Sequence, residues 1–171
     1  MQCGRRIDCT SCSQKNEGIW GYHQYPKGRH FAAEKNTQNC IIFLLKGELL
    51  VNSEEYPGTT LLERQFILQA IGSKVELLAL TDVEYIQFWF TELPLICELS
   101  YKEILENSEM PLVYTPLTLI SKLNIILSDV IDHLKEQSIV CDKYLYLKAE
   151  ELTYVLTNYY PLPRSEERRV G

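Results

Sequence analysis

Between Cys40 and Phe90 the chain is a succession of short apolar runs, CIIFLL, ELLV, FILQA, VELLAL and VEYIQFWF, broken at Lys46-Gly47, Pro57-Gly58, Gly72-Ser73 and Thr81-Asp82. Runs this short, rich in Ile, Val, Phe, Tyr and Trp and punctuated roughly every 8 to 12 positions, spell a small antiparallel barrel or sandwich. In VEYIQFWF the alternation of a strand places Ile86, Phe88 and Phe90 on one face and Tyr85, Gln87 and Trp89 on the other. Both faces are bulky, as in a strand buried on two sides or one lining a pocket. A barrel of this size either packs itself solid or holds one small ligand. The aromatic set Phe43, Phe66, Tyr85, Phe88 and Trp89, with Gln69 or Gln87 as a polar group, makes a ligand pocket plausible. The competing reading is that each of these rings only fills the core.

The chain ahead of this module, residues 1–20, is polar and without periodicity, and reads as a flexible arm carrying Cys3, Cys9 and Cys12. Cys9 and Cys12 have zinc-compatible spacing, with Cys3 nearby and His23 as the nearest fourth donor, but one CxxC is a weak signal beside incidental thiols in an arm. Cys40, Cys97 and Cys141 sit in apolar patterns and read as small buried hydrophobes. With no secretory signal, reduced thiols are expected. Residues 21–31, GYHQYPKGRHF, suit an edge strand or hairpin that opens the β module, whose limits are 21–91. His23 and His30 there read as polar contacts of an edge strand, with ligand contact as the alternative for both and His30 taken into the ligand set.

Past Phe90 the period changes. Residues 92–163 read as a helical region: a helix from Glu92 to about Asn107, a proline-bounded linker from Pro111 to Pro116, then two amphipathic helices. The first runs from Leu117 to Glu136, with Leu119, Leu123, Ile126, Val130 and Leu134 as its stripe. The second runs from Lys143 to about Tyr160, with Leu145, Ala149, Leu152, Val155, Leu156 and Tyr159 on one side. The short connection near Gln137 to Asp142 makes them an antiparallel pair. The fold class expected is thus α+β. The last residues, 164–171, arrive without an apolar partner and resemble a translated sequencing adapter, so they are expected to be a non-native tail.

Charge bears on partners. Residues 1–38 carry six Lys/Arg against three Asp/Glu, whereas 39–163 carry 8 against 18. An acidic body of this kind repels phosphate and is a poor candidate for direct DNA contact. No apolar stretch reaches the roughly 18 to 20 residues of a membrane span, and a cytoplasmic protein without membrane contact is expected.

The order NCIIFLLKGELLVNSEEYPG, then ERQFILQAIGSKVELLALTDVEYIQFWF, then two amphipathic helices resembles the N-terminal effector and dimerisation domain of AraC-family transcriptional regulators of the Bacteroides kind, over residues 20 to 162. The resemblance implies a cupin-like barrel, a possible small-molecule effector, and a homodimer formed through the helical pair, with Leu119, Leu123, Ile126, Val130 and Leu134 at its interface. It further implies that DNA is bound only by a helix-turn-helix domain missing here, so that the chain is truncated before it. Glu63-Arg64-Gln65 and Gly72-Ser73-Lys74 stand where the family usually has a Gly-Asp pair and a His. A sugar pocket built on that His does not carry over.

A cupin enzyme would need a cluster of His and a carboxylate from barrel strands around a metal. His23 and His30 read as arm residues and His133 lies on the helical tail, so the sequence argues against that metal site. No nucleophile elbow or phosphate loop occurs, and Glu54-Glu55 and Glu150-Glu151 read as solvated surface. The expectation is therefore no catalytic residue, no cofactor, no metal and no enzymatic activity. The ligand-contacting set is His30, Phe43, Phe66, Gln69, Tyr85, Gln87 and Trp89. The alternatives are a stand-alone cupin-like interaction scaffold and a small cupin enzyme.

Overall fold

The computed structural model describes residues 19–90, 115–136 and 141–159. The arm cysteines, the helix expected from Glu92 and the tail at 164–171 lie outside these residues. The chain divides into two units, one holding the β structure with residues 115–121, the other the helices.

In the β unit the turn residues named above become the ends of strands β1 (Trp20–Tyr25), β2 (His30–Lys35), β3 (Asn39–Lys46), β4 (Leu49–Asn52), β5 (Thr59–Leu61), β6 (Gln65–Gln69), β7 (Lys74–Ala79), β8 (Val83–Phe90) and β9 (Leu117–Thr118). They form two antiparallel sheets, one in the order β1-β8-β3-β6-β9, the other β2-β7-β4-β5. Gly21 to Phe31 is therefore not one hairpin. Its two halves enter different sheets, each at an edge, and the Pro26-Lys27-Gly28 turn between them is tied down by a hydrogen bond from the Lys27 N–H to Asp82 Oδ1 at 2.9 Å. Gly47, between β3 and β4, has φ +88°, and a side chain there would collide with the Asp82 carbonyl. Only glycine turns this corner without strain.

Period-2 alternation then sorts the side chains. Ile42, Leu44, Leu49, Val51, Leu61, Ile67, Leu77, Ala79 and Val83 form the interior cluster, all under 8% exposed. The opposite face of the five-stranded sheet is buried too: Phe43 lies tilted against Phe66 at 5.3 Å between centroids, and Phe88 lies against Trp20 at 4.7 Å and Phe90 at 5.5 Å. Two buried faces explain why the central strands read as nearly continuous apolar runs.

Two expectations fail locally. Leu117 and Thr118 do not begin a helix. They pair antiparallel with Phe66 and Gln65, and the Leu119 N–H donates to the Arg64 carbonyl at 2.8 Å. Glu55 is not solvated surface: it is 8% exposed and accepts the Ser73 hydroxyl at 2.8 Å.

The helical unit contains α1 (Ser121–Glu136) and α2 (Asp142–Tyr159). Lys148 of α2 reaches Asp129 of α1 at 2.8 Å, and the Cys141 N–H donates to His133 Nε2 at 3.0 Å, so the two helices are joined at both a charged and a neutral contact. α2 buries Leu145, Ala149, Leu152, Val155 and Leu156, as the spacing predicts, but Tyr159 is 47% exposed under the Lys122 ammonium. Leu123, Ile126 and Val130 of the expected dimer stripe are at most 4% exposed in the single chain, Leu119 is buried ahead of the helix, and Leu134 is half-buried. Leu119, Leu123, Ile126 and Val130 thus have almost no accessible surface to offer a second copy in this chain, whereas Leu134 keeps some. Among the described residues no helix is long and apolar enough to cross a membrane.

Candidate functional site

The barrel is neither solid throughout nor hollow throughout. On the side of β4 and β5 it is filled by the aliphatic cluster, whereas a cavity of about 450 Å³ is bordered by β1 and β2 and reaches inward to Cys40, Ile42, Gln69, Leu77 and Tyr85. The strand register explains its polar floor. Gln69 ends β6 opposite Cys40 of β3, on the same inner face as Ile67, and Gln87 of β8 lies opposite Ile42. Where neighbouring interior positions carry Ile or Leu, these carry amides.

Gln69 is 1% exposed, and neither its Oε1 nor its Nε2 has a hydrogen-bond partner among the described residues. His23 Nε2 and Asn36 Nδ2, both from residues lining the same cavity, are likewise buried and unpartnered. Leaving one buried polar group unpaired costs about 1 to 3 kcal/mol, so four such atoms around one cavity mark a place built to meet something polar.

The rest of the wall is aromatic. Tyr25 meets Phe31 edge-on at 4.8 Å, His23 lies 5.1 Å from Tyr85, and the Arg29 guanidinium caps the Phe31 ring at 4.9 Å. Gly21 makes room for this arrangement, because a Cβ there would sit 2.8 Å from the Trp89 ring carbons and 3.0 Å from His23 Nε2. Burial pushes the Cys40 thiol up to about 12, raises the Tyr85 phenol, and lowers the His23 imidazole, the last partly offset by the Gln87 amide. All three inner groups are consequently neutral near pH 7. At the rim His30 and Glu76 face each other at 3.6 Å.

Of the residues expected from the sequence to contact ligand, His30, Gln69, Tyr85 and Gln87 line the cavity. Trp89 packs behind it against Gly21 and, edge-on, His23. Phe43 and Phe66 face the other side of the sheet, one residue out of phase with Ile42 and Ile67, and do not reach the cavity. His23 and His30 sit on the edge strands β1 and β2, in line with the edge-strand reading and not with placement in the arm, and His23, Tyr25, Phe31 and Asn36 join the lining. The signal available for them was the alternation in GYHQYPKGRHF, which puts His23 and Tyr25 on the face shared with Gly21.

A metal centre would need several donors converging on one point. Glu34, Cys40 and His23 line the cavity, but among the described residues no three His, Cys, Asp or Glu side chains come together.

No protein-family model matches the chain, and no curated protein matches it in sequence. Solved structures do match. An RmlC-like cupin with a double-stranded β-helix fold from Methanocaldococcus jannaschii is 12% identical with a TM-score of 0.39, over 42% of this chain and 68% of that one. A cupin superfamily protein from Desulfitobacterium hafniense is 10% identical with a TM-score of 0.42, over 46% and 71%. Salicylate 1,2-dioxygenase from Pseudoaminobacter salicylatoxidans is 17% identical with a TM-score of 0.37, over 41% of this chain but 19% of the enzyme. The likeness is one of fold, two antiparallel sheets in a cupin-like domain, over less than half of this chain. The expectation of a non-enzyme does not stand, because an enzyme is among the chains that share this fold; which activity, if any, this chain has is not fixed by it.

Proposed function

We propose that the chain is the effector-sensing portion of an AraC-type transcriptional regulator. A small molecule would bind in the cupin-like barrel, and DNA would be contacted by a helix-turn-helix domain that these residues do not include. The observation that carries the reading is the cavity lined by Gln69, His23 and Asn36, residues on which four buried polar atoms have no hydrogen-bond partner among the described residues. A scaffold that needed only a packed core would gain stability by filling those positions with apolar side chains. The acidic balance of residues 39–163 and the helical pair that follows the barrel support a sensing rather than a DNA-reading role, acting in the cytoplasm as a homodimer. With the Leu123, Ile126 and Val130 stripe buried, a second copy would have to use other surface, and Tyr146, Leu147 and Tyr154 of α2, each at least 50% exposed, supply apolar area for it.

Sequencing the source transcript across codon 163 tests the regulator directly. Two further helix-turn-helix units in frame are the expected result. A stop codon there would overturn the regulator in favour of a stand-alone cupin-like binding protein.

A further inference from the structure

We infer that the barrel cavity takes a neutral, planar ring carrying a hydrogen-bond donor beside an acceptor on one edge, the chemistry of a lactam or a uracil-type base, with the Gln69 amide pairing to that edge. The inference deepens the sensing role proposed above and rests on it only for its biological meaning.

Three features of the cavity converge on this chemistry. Gln69 offers one donor and one acceptor side by side, both unpartnered and both within a side chain 1% exposed. A carboxamide in that state is satisfied in one geometry by a ligand edge with the complementary pair, the same two-bond match by which Gln or Asn reads an adenine edge. Next, the wall carries flat rings: Tyr25 lies 4.8 Å from Phe31 and 6.0 Å from Tyr85, and His23 lies 5.8 Å from Tyr25 and 5.1 Å from Tyr85, a surface that suits stacking on a planar ligand better than enclosing a puckered one. Finally, no ionised side chain stands on the floor. Glu34 and His30 are exposed at the rim, and the inner groups Cys40, Tyr85, His23 and Gln87 are uncharged, so an anionic or cationic ligand would be desolvated without a counter-charge. Asn36 Nδ2 and His23 Nε2 remain to meet substituents on the ring. The volume, about 450 Å³, accommodates one such ring with substituents or ordered water beside it.

The test is calorimetric titration of the 171-residue chain with uracil, with 1,3-dimethyluracil, which keeps the ring and carbonyls but has no N–H, and with benzoate, a flat anion. Saturable binding of uracil is expected, with dimethyluracil and benzoate weaker by at least about tenfold, the discrimination of one bidentate pair. Gln69→Leu should lose at least about tenfold in uracil affinity while keeping a cooperative thermal transition. If that variant does not fold, Gln69→Met, unbranched and of similar length, reads the same loss. Absence of uracil binding at millimolar concentration, equal binding of dimethyluracil or benzoate, or unchanged uracil affinity in the Gln69 variant would each overturn the inference. None of these results bears on whether helix-turn-helix units follow residue 163, so the two proposals fail separately.

Discussion

Gln69 ends a β-strand at a position where leucine would continue the apolar pattern and fill the barrel. Its amide is buried with both polar atoms unpaired, so replacing it by leucine removes a desolvation cost rather than a bond. Gln69→Leu is therefore expected to leave the unfolding free energy unchanged or raise it by about 1 kcal/mol in urea titration. A loss of several kcal/mol would mean the amide is engaged in the folded chain. Glu55 is the opposite case, a buried acceptor that is paired. Truncation by Glu55→Ala strands the Ser73 hydroxyl and should cost about 1 to 3 kcal/mol in the same measurement. Glu55→Gln, which still accepts, should recover most of it.

His23 gives the residue scale its pH dependence. Burial lowers its folded pKa below the ordinary 6.5, so the unfolded chain takes up the proton first as pH falls. Stability from this group is fully present above pH 6.5 and is lost as pH drops from there toward the lower folded value. His133 is shifted the same way by burial and accepts a hydrogen bond from the Cys141 N–H, which a proton on Nε2 would break. Both histidines thus predict weaker folding toward pH 5, and imidazole resonances followed by NMR separate them. A His23 titrating above 6.5 would contradict the neutral cavity floor.

At the scale of elements, the corner at Gly47 is the most constrained. Gly47→Ala places a Cβ into the Asp82 carbonyl at φ +88°, and a loss of about 2 kcal/mol or more is expected in equilibrium unfolding. The same substitution at Gly58, also at positive φ but with open space around it, should cost less. Truncating the helical stripe, for instance Leu123→Ala at a fully buried site, should cost about 2 to 5 kcal/mol, and by the same amount at every protein concentration if the side chain packs within one chain. A cost that grows with concentration would restore the stripe to a dimer interface.

The elements also show what could be read from the chain alone. The runs of Cys40 to Phe90 were legible because period-2 alternation and turn residues are local, and the faces of β8 follow from its own sequence. Phe43 and Phe66 were misplaced because a strand's parity says which residues share a face, while which face meets the cavity is set by pairing with partners far along the chain, here Ile42 with Ile67. His23 is absent from the expected ligand set for the same reason: its place beside Tyr85 comes from pairing β1 with β8 across about sixty residues. The helix starts four residues later than its apolar period predicts because Leu117 and Thr118 are claimed by a tertiary pairing with β6 that no local pattern announces. Glu55 looked solvated because its partner, Ser73, is 18 residues away.

In the proposed function the whole molecule is a cupin-like barrel, packed solid on one side, whose neutral, polar-floored cavity on the other side holds a small molecule. Anything that binds only the folded chain raises its unfolding midpoint by mass action. The most direct measurement is the thermal midpoint of the wild-type chain and of Gln69→Leu, side by side, across a panel of neutral small metabolites. The account predicts that at least one compound raises the wild-type midpoint saturably and leaves the variant unmoved. A panel in which every compound shifts both proteins equally, or neither, would contradict it.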